Sequence, residues 1–355
     1  MKSFKNVLVI TALICLTLIT DLSLGGNGDR AGQAGVTELL INPWARSSGW
    51  GGINISGSRG VEAMFLNVAG MPFTQRTEIS FTHTKWLKGS DINLNAAGFV
   101  QKLGEASSLG ISIMAMDFGD IQKTTVDQPE GGLGYFSPQF FNISASYAKA
   151  FSQSIYGGVT FKILTQSIAD VKASGFAFDA GIQYVTGWNE AKDNLKFGIT
   201  LKNIGSPMKF TGDGLSFRGD PPVDATYLMT IEQRSEKFEL PSLVAIGASY
   251  DWQLAEAHKL TWAFAFYSNS FTNDQYGLGV EYSFKKLFSV RGGYTYEKKI
   301  TKAEETMTAS KGLSGGVSVD VPLGKEKNKF FGIDYSYRTT EFFDGTHSFG
   351  IRFTL

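Results

Sequence analysis

Thiols are almost missing from this chain: Cys15 is its one cysteine in 355 residues, so no disulfide frame and no cysteine-built metal centre is available. Histidine is nearly as scarce. His83, His258 and His347 stand far apart, with no H-E-x-x-H and no paired spacing, and no G-x-S-x-G elbow occurs. His347 and Ser348 adjoin, but neighbouring residues of a strand face opposite sides and cannot act as a nucleophile and its base. Gly57-Ser58-Arg59-Gly60 and Gly131-Gly132-Leu133-Gly134 lack the strand-to-helix context and the lysine of a phosphate loop, and read as turns. No enzyme, cofactor or metal is expected.

An excess of either charge is also lacking. The 33 basic residues equal the 33 acidic ones, without a Lys/Arg-dense run, so there is no electrostatic footprint for nucleic acid. Apolar runs of transmembrane length are missing as well. The longest, residues 7–20, follows the basic Met1-Lys2-Ser3-Phe4-Lys5 and precedes Ser23-Leu24-Gly25, with small residues at both positions a signal peptidase inspects. Residues 1–25 read as a cleaved secretory signal. Cys15 lies inside it, and Leu13 and Ile14 lack the small residue of a lipoprotein site.

What the chain does have is alternation. From Ser348 to Leu355, apolar Phe349, Ile351, Phe353 and Leu355 are interleaved with Ser348, Gly350, Arg352 and Thr354. Successive strand residues point to opposite faces, so one face is apolar and the other polar. The pattern recurs in fourteen segments: 77–87, 91–102, 107–118, 139–151, 154–165, 173–186, 194–204, 241–254, 259–268, 274–285, 287–299, 311–322, 329–339 and 346–355.

A soluble sandwich and a barrel in lipid both alternate, and three features favour the barrel. The segments are long for globular strands but suit a tilted bilayer crossing. Aromatics such as Tyr147, Trp188, Trp252, Tyr282 and Phe284 fall near segment ends, as an interfacial girdle places them. The long connections 119–138, 205–240 and 300–310 all fall in one alternate set, and short links fill the other. Outer-membrane barrels have short periplasmic turns and longer external loops, which puts both ends of the wall in the periplasm. The prediction is an all-β, 14-stranded antiparallel transmembrane barrel over 77–355, in the outer membrane and its lipid bilayer. Lys162, Lys196, Lys202, Asp179, Glu281, Arg291, Asp320, Asp334 and Arg352 would face the lumen, with Glu281 beside Lys285 and Arg291 near Asp334. Residues 223–233 form a further strand or a hairpin in the largest loop.

Residues 26–76 break the pattern. Short helical stretches at 35–41 and 61–66 flank Gly49-Trp50-Gly51-Gly52, with too few apolar residues for a separate core, so the segment is expected inside the lumen as a plug or hatch. The other arrangement pairs 50–58 as a strand and leaves the rest periplasmic.

Asn42-Pro43-Trp44-Ala45-Arg46-Ser47-Ser48-Gly49-Trp50-Gly51-Gly52, followed by Leu66-Asn67-Val68-Ala69-Gly70-Met71, resembles the amino-terminal signature of the PorV/PorQ family, a branch of FadL-like fourteen-strand barrels. The matching positions are Pro43, Arg46, Gly49, Gly51, Gly52, Asn67 and Gly70; Val68 stands where that family usually has proline. The resemblance implies type IX secretion: association with the translocon barrel, binding of the C-terminal signal domains of secreted cargo, and delivery to a surface attachment complex. PorV-like, PorQ-like and specialised roles stay open. On the external loops Met208, Phe210, Leu215, Phe217, Pro221, Pro222, Tyr135 and Phe136 are the candidate partner-binding residues, if exposed; Phe210 and Phe217 folded inward as a lumen cap is the equal alternative. The competing function is a FadL-like channel for a hydrophobic small molecule, which mixed charge in the lumen disfavours. A purely structural barrel is a third possibility.

Overall fold

The computed structural model describes residue 26 and residues 28–188, 191–220, 227–302, 304–324 and 329–355; the expected leader 1–25 and the candidates Pro221 and Pro222 lie outside the described residues. Fourteen antiparallel strands form the wall: β1 (Thr77–Trp86), β2 (Ile92–Leu103), β3 (Ser107–Asp117), β4 (Gln139–Ala150), β5 (Ile155–Ile168), β6 (Val171–Thr186), β7 (Leu195–Gly205), β8 (Leu243–Ala255), β9 (His258–Asn269), β10 (Gln275–Phe284), β11 (Phe288–Glu297), β12 (Ser310–Pro322), β13 (Phe330–Thr340) and β14 (Thr346–Thr354). Each pairs with its chain neighbours, and β1 with β14 closes the cylinder. Closure satisfies every wall edge, which hydrocarbon demands because it offers backbone groups no partner.

The alternation settles the faces as predicted. In β14, Phe349 is 54% exposed while its neighbour Ser348 is 3% exposed. All the charged lumen candidates except Asp320 are buried, and Asp320 is bonded inside as well. Among the described residues no helix is long and apolar enough to cross a membrane.

Two short additions lie at the external end of the wall. Met208–Thr211 bonds to the top of β6 and pairs with Lys237–Phe238, and Ser216–Gly219 pairs with Met229–Glu232. Within 223–233, then, Met229–Glu232 is one arm of a hairpin.

Inside the cylinder run residues 28–76. Ala34 bridges to Glu239 and the Gly35 amide donates to the Glu239 carbonyl at 3.0 Å, so this stretch begins at the external mouth. It contains a 3-10 turn (Thr37–Leu40), helix α1 (Ala45–Ser48), helix α2 (Gly60–Leu66) and a 3-10 turn (Val68–Phe73), and reaches β1 at the periplasmic end. Residues 50–58 form no strand. Short polar side chains hold its turns: Asn42 accepts from the Trp44 amide at 3.1 Å, and Asn67 accepts from the Ala69 amide at 3.2 Å while donating to the Ile182 carbonyl of β6 at 3.1 Å. A side-chain oxygen that takes an orphan amide starts a helical turn without a helix-forming run.

Packing between this segment and the wall is close. A Cβ at Gly293 would lie 2.3 Å from the Trp50 carbonyl oxygen, and one at Gly98 would lie 2.3 Å from Val61. Gly51 and Gly52, at φ 71° and 80°, turn the chain where a side chain would be strained.

Candidate functional site

The luminal segment splits the interior into two chambers of different character. Its divider is Trp50, Ile53 and Ile55, packed on Leu243, Ala245, Ala263 and Ala265 of β8 and β9. Towards the periplasm lies a cavity of about 320 Å³ lined by Arg46, Arg59, Glu62, Glu78, Lys196, Asp251, Lys259, Glu281 and Arg352. Towards the outside lies one of about 410 Å³, with Leu40, Ile41, Ile55, Phe65, Leu66, Trp86, Leu243, Tyr267, Ile300 and Met307 in its lining.

The inner chamber is cross-linked by charge. Arg291 donates to Glu281 at 2.7 Å and to Ser318 at 2.7 Å, Ser318 donates to Asp334, and Arg352 donates to Asp320 at 2.6 Å with Asp334 at 3.7 Å. Lys196 pairs with Asp251 at 2.5 Å, and Thr261 also donates to Asp251. The sequence-level neighbours were close: Arg291 bonds Glu281 directly and reaches Asp334 through Ser318. Lys285 stays in its turn, over the Phe284 ring, and does not meet Glu281.

From the luminal segment, Arg46 and Glu62 enter this network. Burial alone would lower the Arg46 guanidinium, but the charges of Glu281, Asp320, Asp334 and Glu62 hold it above its ordinary value. Burial pushes the Glu62 carboxyl up to about 7, opposed by Arg46. Glu62 also accepts from the Ser47 amide at 3.1 Å, tying α2 to α1. Arg59 lies over the Phe73 ring at 3.3 Å and donates to Gln183 at 2.7 Å.

The outer chamber is roofed by residues 28–41. Arg30 pairs with Glu239 at 3.0 Å and lies over Phe271 at 4.1 Å, and Glu38 accepts from Gln166 at 3.0 and 3.2 Å. Burial raises the Glu38 carboxyl, with its own backbone amide and Gln166 opposing. The Tyr267 hydroxyl donates to the Gly52 carbonyl at 2.8 Å, joining chamber wall to divider.

The motif positions Pro43, Arg46, Gly49, Gly51, Gly52, Asn67 and Gly70 gather in the luminal segment, where the glycines permit close approach: Gly49 faces the Gly316 backbone, and Gly70 the Ser58 carbonyl. The loop candidates separate. Met208 is 1% exposed and is therefore no part of an exposed surface, because Met208–Thr211 continues the β6 sheet and alternation turns Met208 inward over Gly175. Phe210 follows it, half-buried with its ring 5.5 Å from Phe238. Leu215 and Phe136 are half-buried, while Phe217 and Tyr135 are exposed. Phe217 has exposed company that sequence reasoning did not select: Tyr227, Leu228 and Met229.

Sequence reasoning also missed the bulge in β7. Phe178 pairs with Ile204 and Ala180 with Leu201, so Lys202 and Asn203 oppose the single Asp179 and both turn inward. Asn203, at φ 60°, supplies the only local signal, since asparagine tolerates the left-handed region.

The histidines serve as hydrogen-bond partners. His83 bonds Asn95 at 2.8 Å, His258 bonds Tyr282 at 2.6 Å, and His347 bonds Tyr335 at 2.9 Å, while Ser348 faces inward to Thr84.

No family model matches the chain, and no curated protein does. Solved structures match along nearly its whole length. The toluene transporter TbuX of Ralstonia pickettii shares 14% identity over 94% of this chain and 99% of its own, with a TM-score of 0.52. The monoaromatic hydrocarbon channel CymD shares 13% over 88% and 97%, TM-score 0.53. The toluene transporter TodX of Pseudomonas putida shares 11% over 88% and 97%, TM-score 0.53. The chain thus has a FadL-like outer-membrane barrel fold, and the PorV/PorQ part of the resemblance finds no support in these comparisons.

Proposed function

We propose that this barrel is an outer-membrane channel that admits a hydrophobic small molecule from outside into its outer chamber. The observation that carries this is the contrast between the two chambers: the one behind the external mouth sets Leu, Ile, Phe, Trp, Tyr and Met beside about as many polar side chains, whereas charged side chains make up half the lining of the one beyond the divider. A mostly apolar cavity with a few polar groups is the usual form of a small-molecule site. The similar structures are transporters of toluene and a channel for monoaromatic hydrocarbons, which supports the class.

The test is uptake of radiolabelled toluene by cells with and without the chain, and with Ala245→Phe, which fills the chamber wall. Uptake should fall in both altered strains. Uptake indifferent to the chain removes the proposal.

A second function, in type IX secretion, is favoured by one observation: Phe217, Tyr227, Leu228 and Met229 lie exposed on the external hairpin, as a partner surface would. Gentle extraction should then co-purify a translocon barrel and cargo sharing a C-terminal domain, and deleting 216–232 should abolish this. Cargo binding unchanged by the deletion excludes that surface.

A further inference from the structure

On the outer surface of the wall, a groove of about 720 Å³ crosses β13, β14, β1, β2 and β3. Five strands at about 4.8 Å per step make it about 19 Å long. One register row along it is apolar throughout, running from Ile333 through Ile351, Phe81 and Ala97 to Ile113. Ala97 deepens it, because its neighbours in the row are the larger, exposed Phe81 and Ile113. The wall beneath is paired without a break, so the groove opens towards lipid and not into the lumen.

The external border of this groove is polar. His83 and Asn95 bond each other there at 2.8 Å, and His347 meets the Tyr335 hydroxyl through Nδ1 at 2.9 Å. Lys85 follows two residues beyond His83 on the same face, next to Trp86 at the external end of β1. It is exposed and makes no hydrogen bond or ion pair among the described residues. Its register partners are His347 on β14 and Asn93 on β2, and the carboxylate of that row, Asp117, stands a further strand away.

A coat of hydrocarbon chains has no use for these groups, and a cation facing lipid is costly to hold unless it reaches water or an anion. A phosphate at the level of Lys85 would meet it with the short, strong hydrogen bonds that ionised partners form. An apolar chain attached to that phosphate would fill the trough at Ala97, where burial of apolar surface is favourable.

We propose that this groove seats one phosphate-bearing membrane lipid, with a chain laid across Ile351, Phe81 and Ala97 and the phosphate held by Lys85 beside His347. The guest lies across the seam of the barrel, since Phe81 pairs with Ile351 and Lys85 with His347 between β1 and β14.

Native mass spectrometry of the full barrel, stripped of lipid by exchange in non-ionic detergent, tests this with two probes that share palmitoyl and oleoyl chains: phosphatidylglycerol and the headless diacylglycerol. Wild-type protein should take up one phosphatidylglycerol at least tenfold more tightly than diacylglycerol. Lys85→Gln should erase that preference while keeping diacylglycerol binding, and Ala97→Phe, which fills the trough, should weaken both at least fivefold. Equal wild-type affinity for the two probes overturns the phosphate site, as does a preference that survives Lys85→Gln. Stepwise addition of many phosphatidylglycerols with no distinct first one overturns the seat in favour of an ordinary lipid coat. Binding unaltered by Ala97→Phe places the chain elsewhere and overturns the groove. Displacement of phosphatidylglycerol by an equal concentration of glycerol 1-phosphate overturns the requirement for a chain. A lipid-free dimer makes the groove an interface between copies and overturns the proposal. The wild-type comparison decides the matter even if a variant fails to insert.

Discussion

Arg30 and Glu239, 209 positions apart, form an ion pair at 3.0 Å across the external mouth. With the Ala34–Glu239 bridge it places the first described stretch on the outer side of the membrane.

Surface labelling checks that placement. Gln33 is exposed on this stretch, and Cys15, the one native thiol, falls in the segment read as the leader. Gln33→Cys should react with a membrane-impermeant maleimide on intact cells. Labelling only after the outer membrane is permeabilised would contradict it.

Docking of the same stretch should depend on pH through Glu38. Burial raises this carboxyl above its ordinary 4.5. Its stabilising contribution is therefore complete below that ordinary, unfolded value and is lost as pH rises through the raised folded value. Cleavage of residues 28–41 by limited proteolysis of the detergent-solubilised barrel should quicken over that rise, and Glu38→Gln, which can still accept from Gln166, should flatten the dependence. A pH profile unchanged by Glu38→Gln would assign the effect elsewhere.

Arg291→Met should be severe. It leaves the buried Glu281 without its counter-ion and Ser318 without its donor, a class of change that costs about 3–5 kcal/mol. Lys302→Met, at an exposed pair with Glu305, should leave the unfolding midpoint essentially unchanged. Urea unfolding of the detergent-solubilised barrel, followed by tryptophan fluorescence, measures both.

Gly293→Val should loosen the luminal segment, because the new side chain would meet the Trp50 backbone, which has little room to yield. A destabilisation of about 1–3 kcal/mol is expected, with increased single-channel conductance in planar bilayers. Gly292→Ala, whose nearest obstacle lies at 3.7 Å, serves as the control and should change neither.

The wall was legible because lipid and a polar interior impose a strict period of two on every strand, and because connection length sorts by side. Segment ends differ from the observed strands by only a few residues: 154–165 against Ile155–Ile168, and 173–186 against Val171–Thr186. The split of the lumen was half legible. Glu281, Arg291, Asp320, Asp334 and Arg352 all fall in the periplasmic halves of their strands, which strand direction already implied, yet the divider between chambers comes from the fold of the luminal segment. Met208 was misplaced because a loop that keeps a strand's alternation cannot be told from a free one without its partner at Lys172 and Ala173. Lys202 was placed in the lumen correctly, but the inward turn of Asn203 beside it depends on one extra residue that shifts pairing by a single step.

The route of residues 28–76, from the outer rim to the start of β1 at the opposite end, also bears on how the molecule is made. A finished cylinder has no entrance for a stretch that touches its inner surface so tightly. That stretch must be in position while the seam between Thr77–Trp86 and Thr346–Thr354 is still apart. Thr346–Thr354 then zips onto Thr77–Trp86 around residues 28–76, and insertion into the membrane and filling of the bore become one event.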